Sequence, residues 1–377
     1  MRILVDYRPA LRQRTGVGEY IHRLVEAYAG SGGDEVSIFT SSWKDRPAPG
    51  LARDLGVRVV DRRVPVGVLN YLWHRVGWPP VESLAGPCDV VHAAHPLVIP
   101  ARSAAQVITI HDLFFLTNPE RTGAEIRRDY PALVAPNARR AHAVITSTEH
   151  GKSLVVNQLG VPSHHVHVCR AGAPTWQRLG HAPNVPEDGY ALFLGTLEPR
   201  KNIGALLDAW QLLLERGVRQ RLVLAGRATD DAAAWLARIA EPPLEGHVTH
   251  LGYVEEQDRE TLYAGARLLV LPSLDEGFGL TALEAMSAGV PLVASNRGSL
   301  PEVAGDAAVL IDPTDVRALA AAIERALTDT AWATDRAQAG LARAQTFTWA
   351  ESAAALRQAY LDAVMRRRAG AKRAHRH

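Results

Sequence analysis

Residues 267–289 read Arg267-Leu268-Leu269-Val270-Leu271-Pro272-Ser273-Leu274-Asp275-Glu276-Gly277-Phe278-Gly279-Leu280-Thr281-Ala282-Leu283-Glu284-Ala285-Met286-Ser287-Ala288-Gly289. An apolar run of strand length, Arg267 to Leu271, leads into a loop with two glycines and then into a short helical pattern that ends before Gly289. In open parallel α/β sheets, loops at the carboxyl ends of strands line the ligand crevice, and a helix N-terminus there offers unpaired N–H groups to an anion. Gly277 and Gly279 let the backbone approach a ligand closely. Two acids frame them. Glu284 stands three residues after Thr281, the spacing of a capping box in which it would do no chemistry, so a helix cap and a ligand contact both fit. Glu276 has no periodic role, although a loop acid is ordinarily solvated.

The same rhythm runs along the whole chain. Strand candidates are Ile3 to Asp6, Val36 to Thr40, Val57 to Val60, Asp89 to His92, Val107 to His111 and Ala143 to Ser147, with helical patterns between most of them. After the loop Tyr7 to Thr15, the residues Val17, Tyr20, Ile21, Leu24, Val25 and Tyr28 recur at helical spacing. Between Ala171 and Gly189 the sequence turns irregular, carrying Pro174, Gly180, Pro183, Pro186 and Gly189, which predicts a linker at 174–189. A second series follows: Tyr190 to Gly195, Arg221 to Gly226, His247 to Val254, Arg267 to Leu271, Pro291 to Ala294 and Ala308 to Ile311. Alternation of this kind predicts two doubly wound parallel-sheet domains, 1–173 and 190–348. A last helix from Trp349 to Met365 and a basic, disordered tail from Arg366 make up 349–377.

Composition bounds the function. At 377 residues about two domains are expected, and a formal charge of +2 argues against a nucleic-acid protein. Cys88 and Cys169 lie far apart, which suggests neither a disulfide framework nor a zinc site. The start, Met1-Arg2-Ile3-Leu4-Val5-Asp6, reaches an acid too soon for a signal peptide, and no apolar run has the roughly 18 residues of a membrane span. A cytoplasmic protein is expected. Lysine occurs only at Lys44, Lys152, Lys201 and Lys372, so each placement is informative.

Arg200 and Lys201 stand just ahead of a helix carrying Ile203, Leu206, Leu207, Trp210 and Leu214, with Asn202 as its expected N-cap. Cations there face the positive end of the helix dipole, which is unfavourable unless an anion lies between them. The pair therefore points to a bound phosphate. Gly16-Val17-Gly18 is a weaker signal of the same kind, since the longer dinucleotide fingerprint is absent. His111-Asp112 closes the strand Val107-Ile108-Thr109-Ile110. His92 and His95 fit a polar pocket wall better than a metal site, because no carboxylate or cysteine joins them at ligand spacing. Tyr71-Leu72-Trp73-His74-Arg75-Val76-Gly77-Trp78, with Arg62 and Arg63 upstream, reads either as a helix with its aromatic face in the core or as an acceptor- or membrane-facing surface.

The run Glu276-Gly277-Phe278-Gly279-Leu280-Thr281-Ala282-Leu283-Glu284 resembles the signature of retaining glycosyltransferases of the GT4 type with the GT-B fold. The flanks, Leu271-Pro272-Ser273, Gly289-Val290-Pro291 and Pro301-Glu302-Val303, fit as well. The resemblance implies two Rossmann-like domains facing a central cleft, the first for the acceptor and the second for a nucleotide-sugar donor, with the last helix packing back on the first. It implies that Glu276 holds donor-sugar hydroxyls, that Glu284 binds the nucleotide ribose, and that Gly277, Phe278, Gly279, Leu280 and Thr281 line sugar and phosphate. It implies that Arg200 and Lys201 grip the diphosphate and that Gly16 and Gly18 bring backbone to it. The resemblance also implies that His111 faces the sugar near its reacting carbon, oriented by Asp112, and that Gly252-Tyr253-Val254 lies near the base.

The expected reaction is transfer of a sugar from a nucleotide donor to a hydroxyl of a glycan or lipid-linked acceptor, with retention of configuration. Preorganised cations and N–H groups that stabilise the leaving diphosphate should contribute most. No Asp-x-Asp occurs in the chain, so no metal and no cofactor are expected. The Gly16–Tyr20 loop and His111–Leu113 most resemble bacterial mannosyltransferases of surface polysaccharide biosynthesis, which implies GDP-mannose, with UDP-glucose or UDP-N-acetylglucosamine as alternatives. The basic tail and the Trp73–Trp78 region could touch the inner membrane surface. The rivals are a glycoside hydrolase using Glu276 and Glu284 as paired acids and a non-catalytic nucleotide-sugar-binding protein.

Overall fold

The computed structural model describes residues 1–11, 14, 16–119, 124–176, 185–186 and 188–374. Thr15, most of the expected linker 174–189 and the last residues of the tail, 375–377, lie outside them. The chain divides into two compact units, Met1–Gly172 with Thr348–His377, and Ala173–Phe347.

Among the described residues, the first unit holds seven parallel strands: β1 (Arg2–Asp6), β2 (Glu35–Ser41), β3 (Arg58–Arg62), β4 (Val90–Ala93), β5 (Ala105–Thr109), β6 (Ala143–Thr146) and β7 (Val166–Val168), ordered β3-β2-β1-β4-β5-β6-β7. Three residues carry no usable period, which is why β7 was not foreseen. The order reverses between β1 and β4, so that unit has its switch point there. The helices that bear on the site are α1 (Gly16–Gly30), α2 (Val66–Tyr71), which continues into a π-turn at Leu72–Val76, and α3 (Ala124–Arg140). Tyr20, Ile21, Leu24, Val25 and Tyr28 form the buried stripe of α1 as their spacing requires, whereas Val17 at its open end is 40% exposed.

The second unit repeats the plan with β8 (Tyr190–Leu194), β9 (Arg221–Ala225), β10 (Val248–Gly252), β11 (Ala266–Leu271), β12 (Leu292–Ser295) and β13 (Ala308–Ile311), ordered β10-β9-β8-β11-β12-β13. Every residue of β8 is buried, as expected of a parallel strand covered on both faces. Its helices include α4 (Ile203–Glu215), α5 (Glu256–Gly265) and α6 (Leu280–Ser287). On α4 the buried stripe is Ile203, Leu206, Leu207, Trp210 and Leu213, with Leu214 only half-buried. Each fully buried Leu or Ile adds about 1.5–3 kcal/mol of hydrophobic stabilisation.

The final helix α7 runs Trp349–Ala374, well past the expected end at Met365, and packs on α1. The tail is therefore not disordered from Arg366. Arg366 donates to the carbonyls of His142 and His164, and Arg367 donates to that of Arg102 at 2.9 Å, so these half-buried cations satisfy loop acceptors.

Candidate active site

In the second unit the strand order reverses between β8 and β11, and the loops leaving these two strands meet. The Leu274 N–H donates to the Arg200 carbonyl at 2.8 Å. Asn202, with φ +57°, is the one non-glycine residue of positive φ among the described residues. It stands at the start of α4 but does not cap it, because capping needs extended backbone at that position. Its Nδ2 instead donates to the carbonyls of Pro272 at 3.1 Å and Pro313 at 2.7 Å, pinning the β8 loop to the β11 loop.

That fastening places Lys201 Nζ 2.5 Å from Glu276 Oε1. The Ser273 hydroxyl donates to the same oxygen at 2.8 Å, and the Glu276 carbonyl accepts from the Ser299 N–H at 3.1 Å and hydroxyl at 2.9 Å. Glu276 is 6% exposed, not a solvated loop acid. Burial pushes its carboxyl up, but the charges of Lys201 and Arg200 and the bonds from Lys201 and Ser273 outweigh this and hold it below the ordinary range. It is an anion at neutral pH. Arg200, beside it, is steadied by Glu198 at 3.0 Å. Gly298 makes the close packing possible: at φ +61° a Cβ there would lie 2.7 Å from the Glu276 nitrogen.

Gly279, at φ +93°, precedes α6, and no side chain caps that helix. Thr281 sits inside the helix, so the capping box does not form. Its first amides, at Leu280 and Thr281, belong to a helix start beside Glu276, Gly277 and Gly279. Phe278 is buried with its ring edge to Phe347, centroids 6.2 Å apart. Glu284 is 8% exposed and held by other partners: the Tyr263 hydroxyl donates to Oε2 at 2.8 Å and Arg259 Nη1 lies 3.3 Å from Oε1. Arg259 and Tyr263, four apart on α5, share a face. Trp176 Nε1 donates to the Glu284 carbonyl at 3.1 Å.

In the first unit β5 ends at Thr109, so His111 lies in the following loop. Its ring meets the Tyr20 edge at 5.5 Å and bonds the Ala94 backbone, and its Nε2 is buried with no hydrogen-bond partner among the described residues. Burial pushes its pKa down to about 4 against the opposing charge of Asp112, so the ring is neutral at pH 7. Asp112 Oδ1 accepts the Phe114 N–H at 3.1 Å. Gly16 has no atom within 4 Å of where a Cβ would point, whereas a Cβ on Gly18 would lie 2.8 Å from the Pro9 carbonyl oxygen; Gly18 is needed for packing. His92, at 1% exposure, bridges the Tyr360 hydroxyl at 2.8 Å and Thr109 Oγ1 at 2.7 Å and lines a small, mainly apolar void with Val5, Ile21 and Leu24.

The structure thus joins Arg200, Lys201 and Glu276 in one cluster and gives Glu284 a separate cradle. Sequence reasoning missed Ser273, Ser299, Gly298, Tyr263, Arg259 and Trp176. A glycine three residues past β12 was the one local signal; the others carry meaning only once the loops fold together. Among the described residues, no three His, Cys, Asp or Glu side chains gather as metal ligands, and no helix is long and apolar enough to cross a membrane.

Comparison with known proteins bears on the family and the fold. The family model of glycosyl transferases group 1 matches residues 181–370, and that of the glycosyl transferase 4-like domain matches residues 15–172. The O-antigen chain mannosyltransferase B of Escherichia coli is 32% identical over 93% of this chain and 96% of its own. Among solved structures, sucrose-phosphate synthase from Thermosynechococcus elongatus superposes with a TM-score of 0.76 at 21% identity over 95% of this chain and 98% of that one. The Anabaena HepE protein, in complex with UDP and glucose, gives 0.70 at 19% identity over the full length of both chains. The chain belongs to the group 1 glycosyl transferases, a glycosyltransferase of GT4-like type with the GT-B fold.

Proposed function

We propose that the chain moves mannose from GDP-mannose to a hydroxyl of a glycan or lipid-linked acceptor, with retention of configuration and without a metal. The observation that carries the reading is the buried pair of Lys201 and Glu276, with Arg200 beside it, at the switch point of the second sheet. A leaving nucleoside diphosphate gathers negative charge, and two fixed cations with the uncapped start of α6 are suited to stabilise it. An ionised Glu276 is suited to accept hydrogen bonds from donor-sugar hydroxyls, and Glu284, steadied by Tyr263 and Arg259, from the ribose. His111, neutral and with a lone pair on Nε2, suits a contact to a sugar hydroxyl. The mannose assignment draws on the Escherichia coli relative. A UDP-sugar is the second reading, favoured by the complex of HepE with UDP and glucose. The reading puts the protein in the cytoplasm, at the inner membrane surface where the acceptor is lipid-linked.

A glycoside hydrolase fits less well. Its general acid needs a raised pKa, whereas Glu276 is held low by two cations. The test is thermal stabilisation across nucleotide diphosphates and nucleotide sugars, followed by transfer in a chelator with the product anomer read by NMR. Ligand at a hundred times its dissociation constant adds about 2.7 kcal/mol. A guanosine-specific shift with metal-free transfer is expected. A uridine-specific shift overturns the donor; loss on chelation, restored by a divalent ion, overturns metal independence; no shift with any nucleotide overturns the reading.

A further inference from the structure

Two fully buried serines hold Glu276, one in the loop after β11 and one in the loop after β12. Ser299 fixes the backbone, its N–H at 3.1 Å and its hydroxyl at 2.9 Å both donating to the Glu276 carbonyl. Ser273 fixes the side chain, its hydroxyl donating to Oε1 at 2.8 Å. Lys201 Nζ takes that same Oε1, and among the described residues no hydrogen bond reaches Oε2. The carboxylate is mounted by one oxygen and offers the other.

Charge balance does not call for this serine, since Lys201 and Arg200 already oppose the carboxylate. An ammonium is a point charge on a flexible stem with three donors, able to meet two anions at once but poorly suited to fix the plane of either. The last torsion of a glutamate side chain is broad and roughly two-fold, so Glu276 by itself does not choose which oxygen faces inward. Ser273 makes that choice. Its short side chain follows Pro272, whose carbonyl accepts Asn202 Nδ2 at 3.1 Å, so the fastening that joins the β8 and β11 loops also sets the place of the hydroxyl.

We propose that Ser273 is a positioning residue for transfer: it keeps Glu276 Oε1 turned into the protein and Oε2 toward the donor sugar while Lys201 serves the diphosphate. The proposal rests on the reading of the chain as a transferase from a nucleotide sugar. When a diphosphate enters, Lys201 gains a second anion to meet and its hold on Glu276 weakens. The Ser273 bond does not change partner, because the side chain is out of solvent and its one proton is already given to Oε1. A ligand-binding group has to be held to within about 0.5 Å of its productive place by such supporting bonds. The serine also helps to keep the carboxyl ionised, since its hydrogen bond is one of the influences that lower the Glu276 pKa. Without it Glu276 takes up its proton at a higher pH and meets sugar hydroxyls as a poorer acceptor.

The test is calorimetric titration of the full chain with GDP, UDP, GDP-mannose and UDP-glucose from pH 8 to 5, for the native protein, for Ser273→Ala and for Ser273→Cys, which fills the space but donates weakly. The diphosphates report on the cations and on the integrity of the loops; the nucleotide sugars add the contact to Glu276. The expected result in both variants is an unchanged affinity for the diphosphate and an affinity for the nucleotide sugar weakened roughly tenfold to a hundredfold, the scale of one hydrogen bond to a charged group. The pH below which sugar-specific affinity is lost should also move up. Nucleotide-sugar affinity equal to that of the native chain, an unmoved pH limit, or an equal loss of diphosphate affinity overturns the proposal, the last because Ser273 would then merely support the loop. Native affinity in Ser273→Cys overturns it too, since filled volume and not the hydrogen bond would be what matters. Failure of the native chain to bind any of the four nucleotides overturns the transfer reading, and is distinguished from these outcomes because it needs no variant.

Discussion

Replacing Lys201 by methionine keeps the length of the side chain and removes the charge that stands 2.5 Å from Glu276. Both side chains are nearly out of solvent, Lys201 at 14% and Glu276 at 7%, so water cannot take the place of the lost partner. At an effective dielectric near 20, unit charges 4 Å apart attract by about 4 kcal/mol, and breaking a buried pair from one side costs about 3–5 kcal/mol. Arg200 and the Ser273 hydroxyl keep part of the compensation, which brings the expected loss to about 3 kcal/mol. For a unit of about 175 residues this is a fall in Tm of about 6–12 °C. The sign of the pH dependence follows from Glu276, whose folded pKa lies below the value of 4.5 it takes when unfolded. In the native protein its contribution is present above that value and is lost as pH falls through the folded pKa. In Lys201→Met burial dominates and raises the folded pKa, so the carboxyl protonates early and escapes the penalty. The stability gap between native and variant is therefore widest at pH 7–8 and narrows toward pH 4. Melts of both proteins from pH 8 to 4 read this directly. Adding Glu276→Gln to the variant should recover about 1–2 kcal/mol, since contacting residues couple on that scale. A gap under 1 kcal/mol, an equal gap at both ends of the pH range, or simple additivity in the double variant would refute the reasoning.

Gly298→Ala should cost at least about 2 kcal/mol, from a strained left-handed backbone and a Cβ driven to 2.7 Å from the Glu276 nitrogen, and should abolish transfer; near-native melting with full activity would contradict the close packing of these loops. His111 is neutral in the folded state with a pKa of about 4 and takes a proton near 6.5 when unfolded, so the first unit loses stability as pH falls from about 6.5 toward 4, by up to about 1.4 kcal/mol per pH unit from this residue. Chemical denaturation of His111→Asn between pH 7 and 4.5 should show a slope smaller by about one proton, and an unchanged slope would contradict a buried neutral ring.

The alternation of apolar runs made both sheets legible because parallel strands covered on two faces must be apolar almost throughout, as Tyr190–Leu194 is. Strand ends were less legible, since His111 continues the apolar run Val107–Ile110 by character although β5 stops at Thr109. The tail was misjudged because Arg366 and Arg367 look solvated in sequence, while their partners are backbone carbonyls, to which composition is blind. The same blindness explains the two glutamates. Spacing alone left Glu284 open between a cap and a ligand contact, and the cap fails because Gly279, not Thr281, starts the helix. Glu276 looked like an exposed loop acid because its partners, Lys201 and Ser299, come from loops 75 residues before and 23 residues after it. An isolated buried carboxylate would simply protonate; the loops around β8, β11 and β12 keep it charged. That investment in a charged acid at a switch point is hard to account for by stability, because an apolar pair of the same volume would serve the core as well or better. It is readily accounted for by a ligand that must be met by an anion and two cations at once, as a sugar carrying a diphosphate would be.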